Sequence, residues 1–431
     1  MSVAMSTALQ EAAEGFAARY QRLAPRLPGP AGARRRAAAI FRARGLPDTH
    51  DEAFRFTSLR PLAGVTFAGP ALADGPAVTD EVMRALLARA PATEGPRLVF
   101  ANGRLQADRS RLPETFRVAS FSAEPVFGGE EIAEDEPLVA LNTMLAEDGA
   151  VISVPEGVDG GTLVLLSLGA GEAGRAADFH PRHRLELGAG ARLALVEIAL
   201  GEGVYLHNPV MEIGLGAGAS LSHLRLQNES ARAFHLARLH VTLAERALYD
   251  GYSLVCGARL ARSEIHADIA GEGARLAVNV AQLLDGERHA DITAVVRHMA
   301  PGCSSRQAVK NVITGHAQGV FQGKIAVARA AQKTDGYQMN QALLLSDEAQ
   351  VNSKPELEIF ADDVKCSHGA TVGALDPEQL FYLRSRGVPE REARAMLVRA
   401  FLAEMLDGVP HEWGRAVLEN AVDAWWRDRP L

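Results

Sequence analysis

Cys366 and His368 stand two positions apart in the segment KCSHGATVG (365 to 373), shortly before Asp376-Pro377-Glu378. On an extended backbone successive side chains alternate faces, so the thiol and the imidazole project to one side while Lys365 and Ser367 project to the other. Such a pair is half of a metal site. A structural zinc or an iron–sulfur centre draws about four nitrogen or sulfur ligands from its surroundings, so the remainder must come from elsewhere. His368 alone would read as a strand-end histidine satisfied by backbone; Cys366 beside it and the turn-forming Gly369 favour a ligand. Cys366 itself reads as a metal ligand or sulfur handler, or as a small buried hydrophobe.

Other reactive side chains carry weaker patterns. Cys303 follows Ala274 where the next small position of the repeat described below falls due, and reads with Cys256 as packed interior. His180 and His183 bracket Pro181-Arg182, and His235 and His240 lie five apart; with no carboxylate or thiol at ligand-like spacing, both pairs read as surface or turn histidines. The five lysines, Lys310, Lys324, Lys333, Lys354 and Lys365, all fall between 310 and 365, while every other basic side chain is arginine. A compact ammonium differs from a guanidinium fork, and the cluster suggests a partner-facing surface. The triplet Arg34-Arg35-Arg36 reads as a solvated helix face. No GxxxxGK[ST] loop, GxSxG elbow or HExxH helix occurs, and GLGAGAS (214 to 220) recurs as a corner instead of opening a helix, unlike a dinucleotide fingerprint.

These residues sit in a chain of 431 with net charge −8, which disfavours broad nucleic-acid or anionic-membrane binding. Three cysteines are too few for a secreted disulfide scaffold, and no apolar run is long enough to span a bilayer; a cytoplasmic protein is expected. Apolar periodicity predicts helices over 6 to 24, 31 to 44 (closed by Gly45) and from Asp80 to about Ala90, with an irregular stretch holding Pro61, Pro70 and Pro76 between them. From Arg97 the period changes to two, and Asn102-Gly103 marks a hairpin. From Val151 short strands alternate with glycine turns.

A repeat organises that region. Ala191, Ala219, Ala247 and Ala274 recur at offsets of 28, 28 and 27, and Leu193, Leu221, Tyr249 and Leu276 follow two positions later. One unit of this length cannot bury its own apolar face, so the coils must stack. The expected fold is mainly β: a parallel β-helix core over 96–375, flanked by helical domains over 1–95 and 376–431. In the last domain Asp376 caps a helix with Pro377 at its first position, Gly387 closes it, and Pro389-Glu390 and the region 412 to 427 supply two more helices.

The segment from TDGYQMNQ (334 to 341) through LFYLRSRGVPEREARAMLVRAF (380 to 401), with weaker matches at DEAFRFTSL (51 to 59) and LNTMLAEDGAVISVPEGV (141 to 158), resembles the SufB/SufD family of iron–sulfur cluster assembly proteins. Where the SufB side of the family carries a histidine and acidic residues, this chain has Cys-Ser-His-Gly-Ala-Thr, like SufD. The resemblance implies a right-handed parallel β-helix and a non-catalytic scaffold subunit. Its expected partners are SufB, through a β-helix heterodimer, and the ATPase SufC, through the C-terminal helices. His368, with Cys366 as second candidate, would then contribute to an iron or transient iron–sulfur cluster site shared with SufB. A reduced flavin accompanies such complexes, with no motif here that locates it, and the chain alone leaves open a homodimer when SufB is absent. The competing class is a β-helix carbohydrate-active enzyme or an acyltransferase. The first calls for clustered Asp with calcium, the second for a hexapeptide pattern and hence much shorter coils, and neither is present.

Overall fold

The computed structural model describes residues 2–68, 78–93, 95–127, 135–172 and 174–427. Within it the repeat becomes a parallel β-solenoid built from two long sheets. A 10-stranded sheet ends at Lys365–Gly373, and an 11-stranded sheet ends at Gln350–Ile359. Among the described strands every ladder is parallel except two, Arg97–Ala101 with Arg104–Leu105 and Arg117–Ser120 with Ala150–Val154, which finish the N-terminal end of the stack. The expected hairpin is the first of these. Asn102 and Gly103 carry φ of 43° and 77°, the paired left-handed residues of a two-residue turn whose twist matches the strands.

The alanine repeat is the coil corner. Ala191, Ala219, Ala247 and Ala274 are buried to 1 % exposure or less, and Cys303 and Thr334 continue their column. The residue before each is left-handed: Gly190, Gly218, Gly273 and Gly302 at φ near 65–68°, with Arg246 at 53° and Lys333 at 60°. That turn aims each corner N–H at a carbonyl of the next coil, as from Gly190 to Ala217 at 2.8 Å and Gly218 to Glu245 at 2.7 Å. Two residues on, Leu193, Leu221, Tyr249 and Leu276 pair in register and form the inner apolar ladder, one rung per about 4.8 Å.

Both outer faces are covered near the N-terminal end. The helices Ser2–Leu23 and Ala31–Arg44 pack with Pro137–Leu145 over Leu206, Phe234, Leu236 and Leu260. The stretch with Pro61 holds a short helix, Arg60–Ala63; Pro70 and Pro76 lie outside the described residues. The Arg triplet is not a uniformly solvated face. Arg34 is 1 % exposed and donates to the carbonyls of Thr143, Met144 and Ala146 at 2.7–3.2 Å. A guanidinium there satisfies carbonyls that the end of helix Pro137–Leu145 leaves without intrahelical partners, a role that periodicity within residues 31 to 44 cannot reveal.

The C-terminal helices Glu390–Asp407 and Glu412–Arg427 lie on the outer face of the 10-stranded sheet. Val398, Leu402, Met405, Val417, Leu418, Trp425 and Trp426 pack on Val196, Ile198, Leu224, Leu226 and Leu254. Cys256 belongs to this outer contact, so it is packed, but outside the solenoid; Cys303 is the corner residue expected. Lys310 reinforces the same contact from the sheet, donating to Phe401 O and Glu404 at 2.8 and 2.9 Å.

The corner assignment makes Ala219→Asp severe, because a charge without a partner would enter a position with no solvent. Loss of at least about 3 kcal/mol, or insolubility, is expected in thermal melts. Inside the coil, burial pushes His183 and His298 down to about 4. An imidazole released by unfolding titrates near 6.5, so between those values the unfolded chain binds more protons and stability falls as pH drops. The melting midpoint should therefore decrease from about pH 7 to about pH 5, and decrease less in His298→Gln.

Candidate functional site

Among the described strands Lys365–Gly373 pairs only with Asp335–Leu344, and Gln350–Ile359 only with Gln318–Val327, so each is the last strand of its sheet. The interior columns of the solenoid simply stop there. Cys366, His368, Ala370 and Val372 occupy the positions that in the preceding coil are Gly336, Gln338, Asn340 and Ala342. Gln338 is fully buried, whereas His368 is exposed and Val372 is 56 % exposed. Phe360, 65 % exposed, lies just past the other edge strand. The end is thus an inner face without its next rung, flanked by two strand edges.

Cys366 and His368 do fall on one side of the strand, as alternation requires, but their surroundings differ. The Cys366 thiol is half-buried with Ile325, Val327, Ala331 and Ala361, and burial pushes its pKa up, against the thiolate that metal binding needs. His368 heads a polar column: Gln338 and Gln307 stack beneath it, each buried, with side-chain amides that find no hydrogen-bond partner among the described residues. Asn311 donates to Asn340 at 2.7 Å in the adjacent column. The His368 column holds Gly251 and Val278 in earlier coils and becomes amide-lined from Gln307 onward. Four of the five lysines, Lys324, Lys333, Lys354 and Lys365, lie in the last coils; Lys310 instead holds the C-terminal helices.

A second cluster lies deeper. His183 and His235 lie on strands and His180 in the short link before Arg182–Leu187, and all three are 2–4 % exposed, so they are not surface residues. His180 meets Asp178 at 3.0 Å and Asn208 at 2.9 Å, and Asp178 pairs with Arg19 of the first helix. His207 and His235, one coil apart, are register neighbours with ring centroids 5.0 Å apart. Glu229 sits against both: Oε1 lies 3.0 Å from His207 Nδ1, and Oε2 lies 2.6 Å from His235 Nδ1. Burial opposes its ionisation, but the two imidazoles, His235 foremost, hold it well below the usual carboxylate range. Nearby, Glu197 meets His223 at 2.5 Å and, against the cost of burial, is held at about 2 by that contact. Glu197 was legible only through the repeat, since His223 stands 26 residues away on the next rung, whereas Glu229 precedes His235 by only six residues.

The helix Pro377–Ser385 begins with Asp376 accepting from Glu378 N and Gln379 N, the cap expected of it. It buries none of its residues, and Phe381 and Tyr382 are 73 % and 57 % exposed. No helix among the described residues is long and apolar enough to cross a membrane.

The family model of the SUF system FeS cluster assembly SufBD core domain matches residues 170–401. The chain is 32 % identical to the iron–sulfur cluster assembly protein SufD of Escherichia coli, over 85 % of its own length and 86 % of the relative's. It is 30 % identical to an iron–sulfur cluster assembly SufBD family protein of Synechocystis sp., covering 88 % and 87 %. Identity is also 30 % to the chloroplastic protein ABCI7 of Arabidopsis thaliana, covering 87 % and 82 %.

Proposed function

The chain belongs to the SufBD family of iron–sulfur cluster assembly proteins, and from that premise we propose that it is a scaffold subunit pairing through its open solenoid end with a SufB-type β-helix. In this reading it is not itself an enzyme. The exposed inner face at Lys365–Gly373 carries the proposal: parallel edges and apolar side chains left uncovered at one end only are what a second solenoid would cover. His368 then presents a ring nitrogen to iron or a nascent cluster as cargo, and donors from the partner complete the coordination. Cys366, packed among aliphatic side chains, has the smaller role. The lysines of the last coils would flank this contact.

The ATPase SufC is proposed to dock on the projecting helix Pro377–Ser385, whose Phe381 and Tyr382 side chains are mostly exposed. The helices behind it also cover the sheet, so deletion of the whole C-terminal region would uncover a large apolar surface and say little about docking. Point changes are the cleaner probe. Phe381→Asp should abolish co-purification with the ATPase while leaving the melting curve unchanged, since the residue packs on nothing it would disturb. Retained ATPase binding would remove that docking site.

His368→Ala should leave solubility and co-purification of all three subunits intact, because an interface of standard size tolerates loss of one imidazole, while a metal losing one of its few ligands loses affinity and geometry. Cluster-dependent enzyme activity in cells lacking the native subunit and supplied with the variant should collapse, and Cys366→Ser should be milder. Full rescue by His368→Ala would refute the ligand role. Failure accompanied by a disassembled complex would make the residue structural.

A further inference from the structure

Inside the solenoid, far from the last coil in sequence, one donor atom from each of His207, Glu229 and His235 lies within 4.8 Å of the other two. All three residues are buried, at 4 % exposure or less. The backbone explains the convergence. His207 ends the short strand Tyr205–His207 and His235 is the second residue of Phe234–Leu243; the two strands pair in register, so the imidazoles stand on adjacent rungs facing the same way. Glu229 follows directly on the strand Ser220–Asn228, where the chain turns the corner between those rungs. Gln227 donates to Glu229 Oε2 at 3.0 Å and holds the carboxylate toward the rings.

The site is built yet incompletely bonded. His207 Nε2 has no hydrogen-bond partner among the described residues, and His235 Nδ1, despite its 2.6 Å approach to Glu229, makes no contact of hydrogen-bond geometry. Against His207 and His235 lies a cavity of about 50 Å³, lined also by His183, Glu197, Arg225 and Arg238. That is room for more than one water-sized ligand, since about 10–15 Å³ holds one.

We propose that His207, Glu229 and His235 bind a divalent first-row transition-metal ion within the solenoid. Two imidazoles and one carboxylate are a donor set for zinc or ferrous iron, and poor for calcium or magnesium, which take oxygen. Three protein ligands on one side leave positions open toward the cavity, where water or a small anion completes the shell. The site is distinct from the one at His368: it uses no thiol, needs no partner chain, and is complete within a single subunit.

The test uses the full-length chain, purified without oxygen, stripped with a chelator and titrated with Co(II). The expected result is visible d–d absorption saturating at one ion per chain, displaced by Zn(II) or Fe(II), with a rise in melting temperature on metal addition. His368→Ala and Cys366→Ser should keep the signal; Glu229→Gln and His235→Asn should lose it. Because the latter two could fail to fold, X-ray absorption of the wild-type chain decides independently, and should show nitrogen and oxygen neighbours with imidazole scattering and no sulfur. No Co(II) binding by the wild-type chain, a sulfur-containing shell, a signal abolished by His368→Ala, or a signal surviving in a folded His235→Asn would each overturn the proposal.

Discussion

A strand is fully hydrogen-bonded only when another strand lies along each edge, and this one requirement shapes the whole chain. It forces every coil to repeat the path of the last, which is why the left-handed corner residue and the small buried residue after it return with so little variation from Gly190-Ala191 to Lys333-Thr334. It also means that the stack cannot end without a device. At the N-terminal end the device is antiparallel pairing by short strands. At the other end the described chain supplies none, and the inner face that carries His368 is left bare.

The same requirement sorts side chains into columns, and a column is a more informative unit than a strand. Leu193, Leu221 and Leu276 make one column apolar, while the column through Gln307, Gln338 and His368 is polar to its end. Buried amides with unmet hydrogen-bonding capacity oppose stability. Their concentration in the last coils leaves the core less cohesive on approach to the open face.

Much of this was legible in residue order. The corner alanines, the hairpin at Asn102-Gly103, the cap at Asp376 and the alternation of Cys366 with His368 are all local, and local stereochemistry decided them. What escaped was long-range. Nothing in the spacing of His235 and His240 announces Glu229 or His207, because the two histidines that meet are neighbours through space and a full repeat apart along the chain. Arg34 was hidden for a similar reason: its acceptors belong to a helix far downstream in sequence. The C-terminal helices read correctly as helices, but their amphipathic pattern could not say that the surface they cover is the outer face of the solenoid.

The open end has a consequence for how the protein is made. Each coil packs almost entirely on its immediate predecessor, so rungs can be laid down in the order in which they leave the ribosome, and nearest-neighbour stacking gives every new coil a template. The rung bearing His368 is the last to be synthesised. A half-finished chain would also end in bare edges, but without the imidazole and without the flanking residues of the final turn. Synthesis order therefore acts as a quality check: the face that carries His368 exists only on a chain whose preceding coils are already in place.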